Sequence, residues 1–227
     1  MVEQPGVDQR LASPAPAAAR SGRRLDGQRL FDLALAVPIL ILIAPLLLLA
    51  CIAVGLTSRG PVLFRQIRIG RGEQPFWMLK FRTMYVDADH RLQEEMNKRE
   101  LLGEDVAEDG LFKPAHDPRI TPVGRFLRQS SIDELPQLLN VLKGEMSLVG
   151  PRPALPFEVD LFTPEERRRH DCRPGITGIW QVSGRNRLSM RKMLALDLVY
   201  VQYRSFKLDL WVLLQTPKAV LFERATR

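Results

Sequence analysis

Asp133 and Glu134 are adjacent acids in "RQSSIDELPQLLNVLKGEMSLVGPRP", Arg128 to Pro153, with a serine pair before them and Pro136 after. Ser131 and Glu134 have the spacing of a capping box, where a hydroxyl and a carboxylate satisfy the first N–H groups of a helix. Acids there also suit the positive end of the helix dipole. Pro136 complicates that register, because proline is comfortable at the first helical position but not deeper. A helix starting at Pro136 leaves both acids just ahead of free backbone N–H groups, a place that favours anions, phosphate included. The residues alone leave both readings open. The helix itself is expected to turn Leu135, Leu138, Leu139 and Leu142 to one apolar face.

The elements that must position this pair come next. "PVLFRQIRI" and "PFWMLKFRTM" read as two strands with a turn at Gly70–Gly72, a small hairpin carrying Lys80 and Arg82. Asp87 to Asp109 holds nine acids against three bases and predicts a solvated helix and loop. "RPGITGIWQVSGRN", Arg173–Asn186, reads as a Gly-rich loop with Arg185. "LALDLVYVQYRSFKLDLWVLLQTPKAVLF" has helical apolar spacing, broken near Ser205 and Pro217, with Trp211 and tyrosines suited to a membrane interface. Arg167–Arg169 reads as a headgroup-facing patch.

The chain of 227 residues carries a net charge of +7 with a pI near 9.8, which implies an anionic partner. Nucleic acid is excluded as that partner by an aromatic content of 7% with no basic–aromatic interleaving. Cys51 and Cys172 stand far apart, with neither metal nor disulfide spacing, which suits a reducing compartment. The three histidines are isolated, and none is assigned to a metal. Residues 1–28 read as a disordered basic arm.

Leu33 to Leu56 are 24 residues without a charge, enough to span a bilayer. Pro38 and Pro45 interrupt them, and Arg20, Arg23, Arg24 and Arg29 precede while Arg59, Arg65, Arg68 and Arg71 follow. Positive flanks mark the cytoplasmic side. A broken helix entering and leaving by one face satisfies both flanks, so residues 29–58 are read as a re-entrant membrane hairpin and 59–227 as a cytoplasmic catalytic domain. The fold class expected is α+β: mainly helical, with that hairpin, a small β-hairpin and interfacial amphipathic helices.

"KFRTM", "DPRITPVGRFLRQSSIDELPQLLNVLKGEMSLVGPRP", "RPGITGIWQVSGRN" and "LDLVYVQYRSFKLDL" occur in that order after the apolar segment. Together they resemble the bacterial sugar transferase family, the monotopic phosphoglycosyl transferases, from about Arg29 to Phe222. The resemblance implies transfer of a hexose 1-phosphate from a UDP-hexose to undecaprenyl phosphate, with UMP released, at the start of exopolysaccharide or capsule assembly. It implies Mg²⁺ and a covalent phosphosugar on Asp133, with Glu134 beside it and both acids as metal ligands. Lys80, Arg128, Arg152 and Arg185 match family positions for phosphate, Asp197 matches a motif acid of no assigned role, and Pro45 matches the membrane helix break. The implied setting is the cytoplasmic face of a bacterial inner membrane, among phospholipids, with a homodimer allowed and no nucleic acid.

Ala44-Pro45 departs from the Ser-Pro often found in the family, which removes a hydroxyl for a freed carbonyl. The chain reads as the short form, without a multi-span N-terminal domain, and similarity leans to glucose or galactose over an N-acetylated sugar. A non-catalytic, membrane-anchored lipid-binding or scaffold protein would explain the charge, but not the acids and Gly/Pro loops together.

Overall fold

Gly27–Thr57 form one 31-residue helix, α1. The computed structural model describes residues 27–85, 91–102, 117–184 and 187–222. The arm expected over 1–28 lies outside them except for Gly27 and Gln28, which begin α1. The helix is long and apolar enough to cross a membrane. Ile41, Leu42, Leu48 and Leu49 are 70, 80, 62 and 64% exposed. No residue leaves the helix at Pro38 or Pro45, so the expected break is not a loss of helix. An interior proline removes one hydrogen bond, which a long helix accommodates by bending.

Both halves of α1 pack on the same folded unit. Leu35, Ala36, Leu40 and Ile43 join the main core with Met78, Leu138, Val141, Met146, Leu148, Tyr200 and Val212. Beyond Pro45, Leu47, Ala50, Cys51 and Val54 pack with Phe81 and Leu127. Polar anchors fix each end. Arg29 donates to the carbonyls of Val141 and Leu142, the latter at 2.6 Å. Asp32, 1% exposed, accepts from Ser147 Oγ and the Leu148 N–H at 2.8 and 2.9 Å. At the far end Arg82 donates to the Ser58 carbonyl at 2.7 Å. Arg29 is therefore not a headgroup-facing flank; it satisfies carbonyls at a helix end, where cations are favoured.

The β-hairpin forms as expected: β1, Leu63–Ile69, pairs antiparallel with β2, Pro75–Phe81, from Leu63↔Phe81 to Ile69↔Pro75. The helices that follow are α2 (Arg91–Leu101), α3 (Pro122–Gln129) and α4 (Gln137–Lys143). Then come β3 (Ser147–Val149), α5 (Pro156–Asp160), α6 (Pro164–Arg167), β4 (Gly175–Thr177), α7 (Ile179–Ser183), α8 (Met190–Tyr203) and α9 (Phe206–Phe222). This is an α+β fold, mostly helical.

Several expectations change. The Gly-rich stretch from Arg173 is not all loop; it holds β4, parallel to β3, and α7. Gly150 and Gly175 permit that pairing, because a Cβ on Gly175 would meet the Gly150 nitrogen at 2.1 Å. The chain breaks between α8 and α9 but not at Pro217, which lies inside α9. The acidic stretch is not wholly solvated: Leu101 is 1% exposed, and Arg191 donates to its carbonyl at 2.7 Å. On α4 the buried face is Gln137, Leu138, Asn140 and Val141, while Leu139 faces outward. Leu138 and Val141 enter the main core, and Asn140 between them meets a strand edge.

Asn140 is fully buried and makes the edge contact. Its Oδ1 accepts from the Leu79 N–H at 3.1 Å, and its Nδ2 donates to the Trp77 carbonyl and to Glu145 Oε2, both at 2.7 Å. These backbone groups lie on the side of β2 away from β1, so Asn140 stands in for a third strand. Asn140→Ala should leave two buried backbone groups unpaired and cost about 3 kcal/mol. Thermal unfolding of the detergent-solubilised protein checks this; a shift equivalent to less than about 1 kcal/mol would remove Asn140 from this role.

Candidate active site

The acidic pair sits in a 3-10 turn, Ile132–Glu134, between α3 and α4. The capping-box reading fails here. Ser131 is left-handed, with φ 57°, and its side chain makes no cap. Helix α4 starts after Pro136, as the alternative register required. A non-glycine residue with positive φ is strained, and such strain collects where surrounding packing holds a functional geometry. Asp133 is 9% exposed, while Glu134 is half-buried and takes a 2.8 Å ion pair from Lys80 on β2.

Gly124 sets the approach of α3. A Cβ there would meet the Thr83 carbonyl oxygen at 2.1 Å, so only glycine lets α3 lie on the segment that follows β2. One turn on, Arg128 Nε donates to Thr83 Oγ1 at 2.8 Å. This ties Arg128 to the segment that carries Lys80. The turn bearing Asp133 packs against both β2 and α3.

Arg152 reaches the neighbourhood from the "GPRP" loop after β3. Pro151, Pro153, Ala154 and Leu155 are buried; Arg152 is half-exposed, its guanidinium 6.0 Å from the Trp180 ring centre. Arg68 links the two halves of the site. It is 5% exposed and donates to the Pro153 carbonyl at 3.0 Å. Burial, then the like charge of Arg152, lowers its pKa to about 9, while Glu158 and Glu134 oppose the fall. It remains a cation at neutral pH, a buried positive charge felt by both Glu134 and Arg152.

Asp197, on α8, is 2% exposed and pairs with Arg169 at 2.5 Å. Burial raises its carboxyl to about 6 against the lowering effect of Arg169 and Arg152. Sequence reading missed Arg68 and Arg169, assigning both to the membrane surface. Arg167 and Arg168 pair with Glu73 and Glu165, and Arg169 turns inward. The geometry explains it: Arg167 ends α6 and Arg168 opens a tight 3-10 turn, so the three successive side chains point three ways. Similarly, Arg65 and Arg68 lie three apart on a strand and must face opposite sides. Arg185 lies outside the described residues.

Oxygen donors from adjacent carboxylates fit a hard divalent cation, which commonly takes one or two protein carboxylates plus phosphate oxygens. Asp133 and Glu134 offer two such carboxylates; among the described residues no group of three or more His, Cys, Asp or Glu side chains converges.

An acidic pair on a strained turn, with Lys80 paired to Glu134 and the buried Arg68 cation felt by the same carboxylate, suits chemistry on phosphorylated substrates. Residues 23–223 match the family model described as bacterial sugar transferase. The chain belongs to the bacterial sugar transferase family. This transferase is 43% identical over 194 residues to a Bacillus subtilis protein named uncharacterized sugar transferase EpsL, covering 86% of this chain and 87% of that one. It is 42% identical over 220 residues to a Caulobacter vibrioides UDP-glucose:undecaprenyl-phosphate glucose-1-phosphate transferase, covering 93% of this chain and 74% of that one. It is 39% identical over 204 residues to a Salmonella typhimurium undecaprenyl-phosphate galactose phosphotransferase, covering 90% of this chain and 42% of that one.

His170, next to Arg169, gives the transferase a pH dependence of stability. It is 6% exposed, and neither ring nitrogen has a hydrogen-bond partner. Burial, and next the Arg169 cation, push its pKa down to about 4. Between pH 6.5 and 4 the unfolded chain takes up a proton there that the folded chain refuses. Stability is therefore lost as pH falls through that window, by about 3 kcal/mol in all from this residue. The wild type should lose about 2 kcal/mol more than His170→Phe between pH 7 and 4.5 in thermal unfolding; parallel pH profiles would contradict the assignment.

Proposed function

We propose that this enzyme transfers a hexose 1-phosphate from a UDP-hexose, glucose or galactose, to undecaprenyl phosphate. The observation that carries this is the Asp133–Glu134 turn facing Lys80, supported by the names of the relatives. The attack is assigned to Asp133, as the family resemblance implies, with Glu134 paired to Lys80 beside it. A carboxylate oxygen of Asp133 attacks the sugar-bearing phosphorus of the UDP-hexose. The bond to the second phosphate's bridging oxygen breaks and UMP leaves. The acyl phosphate that remains is attacked at phosphorus by an oxygen of undecaprenyl phosphate, which forms the pyrophosphate link and restores the carboxylate. Splitting one displacement into two is the advantage of a covalent intermediate.

Both substrates are anions, and Arg128, Arg152 and Lys80 offset their repulsion. Mg²⁺, held by Asp133 and Glu134 with substrate phosphate, would neutralise further charge when bound. Arg185 completes the proposed phosphate set from the sequence pattern.

The lipid substrate requires a membrane seat. The exposed middle of α1 and the exposed Tyr203, Phe206, Leu210, Trp211 and Leu214 supply one. Phe31 and Phe206 stack edge-on at 5.0 Å, so the two apolar surfaces meet. A straight span would carry one half of α1 to the far side, whereas both halves pack on one domain. This favours a re-entrant helix bent at Pro45, with the domain at the cytoplasmic face of the inner membrane.

Two measurements test these readings. Asp133→Asn should lower turnover on the order of 10³-fold while the protein stays folded. Wild type given UDP-glucose or UDP-galactose alone should release about one UMP per active site and keep the sugar phosphate on the Asp133 peptide. Near-normal turnover in the variant, or an adduct elsewhere, would end the assignment. For topology, cysteines placed at Ser21 and Arg59 in a Cys51→Ala, Cys172→Ala background should both resist an impermeant thiol reagent in intact cells. Labelling of one site alone would show a true span.

A further inference from the structure

The "GPRP" loop has no free carbonyl from Pro151 to Ala154. The Pro151 carbonyl accepts from the Gly175 N–H at 2.8 Å and the Ala154 carbonyl from the Ile69 N–H at 2.9 Å. Arg68 takes the Pro153 carbonyl at 3.0 Å, and Arg169 takes the Arg152 carbonyl at 2.7 Å. Four partners from three parts of the chain thus hold four successive peptide groups.

The grip on Arg152 itself runs through a buried ion pair. The Arg169 nitrogen that donates to the Arg152 carbonyl also pairs with Asp197 at 2.5 Å. Asp197 therefore fixes the group that holds the Arg152 backbone, and the Arg152 backbone and charge in turn favour the ionised Asp197 carboxyl. Pro151 and Pro153 flank that residue, and a following proline confines it to extended backbone. The outcome is a fixed backbone beneath a half-exposed guanidinium.

A role in stability alone explains this poorly. Buried ion pairs are often matched or bettered by apolar residues of similar volume. What apolar residues cannot supply is a fixed donor for the Arg152 carbonyl.

We propose that the Arg169–Asp197 pair is a positioning device for Arg152, holding its peptide so that its guanidinium meets a substrate phosphate. Asp197 and Arg169 touch no substrate and act through Arg152. The proposal rests on the reading above that Arg152 binds phosphate.

The test compares three proteins: Arg152→Ala, the apolar pair Arg169→Met with Asp197→Leu, and the triple variant. Turnover is measured by UMP release with UDP-glucose and UDP-galactose, and folding by thermal unfolding. The pair variant should stay folded and lose about 10- to 100-fold in kcat/KM. The loss should fall on the same parameter, kcat or KM, as in Arg152→Ala. The triple variant should be no worse than Arg152→Ala, since residues acting as one unit are not additive. Should the apolar pair fail to fold, Asp197→Asn, alone and with Arg152→Ala, carries the same comparison. Activity within about threefold of wild type in the pair variant, a different parameter, or an additive loss in the triple variant would overturn the positioning role. Full activity in Arg152→Ala would instead overturn the phosphate role of Arg152, and the proposal with it.

Discussion

Asn140 fixes α4 to the hairpin, and the geometry of the acidic turn follows from that attachment. Its side chain occupies the outer edge of β2 at Trp77 and Leu79, one residue from Lys80. The turn with Asp133 and Glu134 leads directly into α4, so clamping α4 at Asn140 places Glu134 within 2.8 Å of Lys80. The other end of α4 is held by Arg29 from α1. A seven-residue helix has little stability of its own and depends on such tertiary anchors.

Buried arginines organise the rest of the site by gripping backbone. Arg82 holds Ser58, Arg68 holds Pro153 and Arg169 holds Arg152. Each takes carbonyls that a short loop cannot satisfy internally, and buried carbonyls left unpaired are costly. A guanidinium suits this task, with five donors in a rigid fork and a charge that persists when buried. The result is a set of loops held without long regular elements. That arrangement sets the Lys80 and Arg68 cations, on the two strands of the hairpin, beside the acidic turn.

The long helix fits the same logic. Its apolar middle turns outward, while Asp32 and Arg29 near its start and the carbonyls near its end are taken by the domain. Polar residues in α1 therefore serve docking, and the leucine-rich surface is left for an apolar surrounding. This couples the position of the active-site turn to the helix, since α1 packs on both α3 and α4, which flank that turn.

The sequence by itself determined the hairpin, the long apolar helix, the helix start at Pro136 as one of two registers, and the family through its ordered motifs. These rest on local periodicity, turn residues and proline stereochemistry, which act over a few positions. The acidic pair Asp133–Glu134 stood out locally, whereas Lys80, Arg128 and Arg152 were assigned through the family resemblance. Sequence reading misplaced Arg29, Arg68 and Arg169, and it gave Asn140 and Thr83 no role and left that of Asp197 unassigned. An arginine in a flank and an arginine buried under a loop look alike in one dimension; only the partner distinguishes them, and these partners lie 17 to 113 positions away. Only the tertiary structure decided which charges face solvent and which are spent on a neighbouring backbone, because that choice is set by long-range hydrogen bonds and desolvation, which no local pattern encodes.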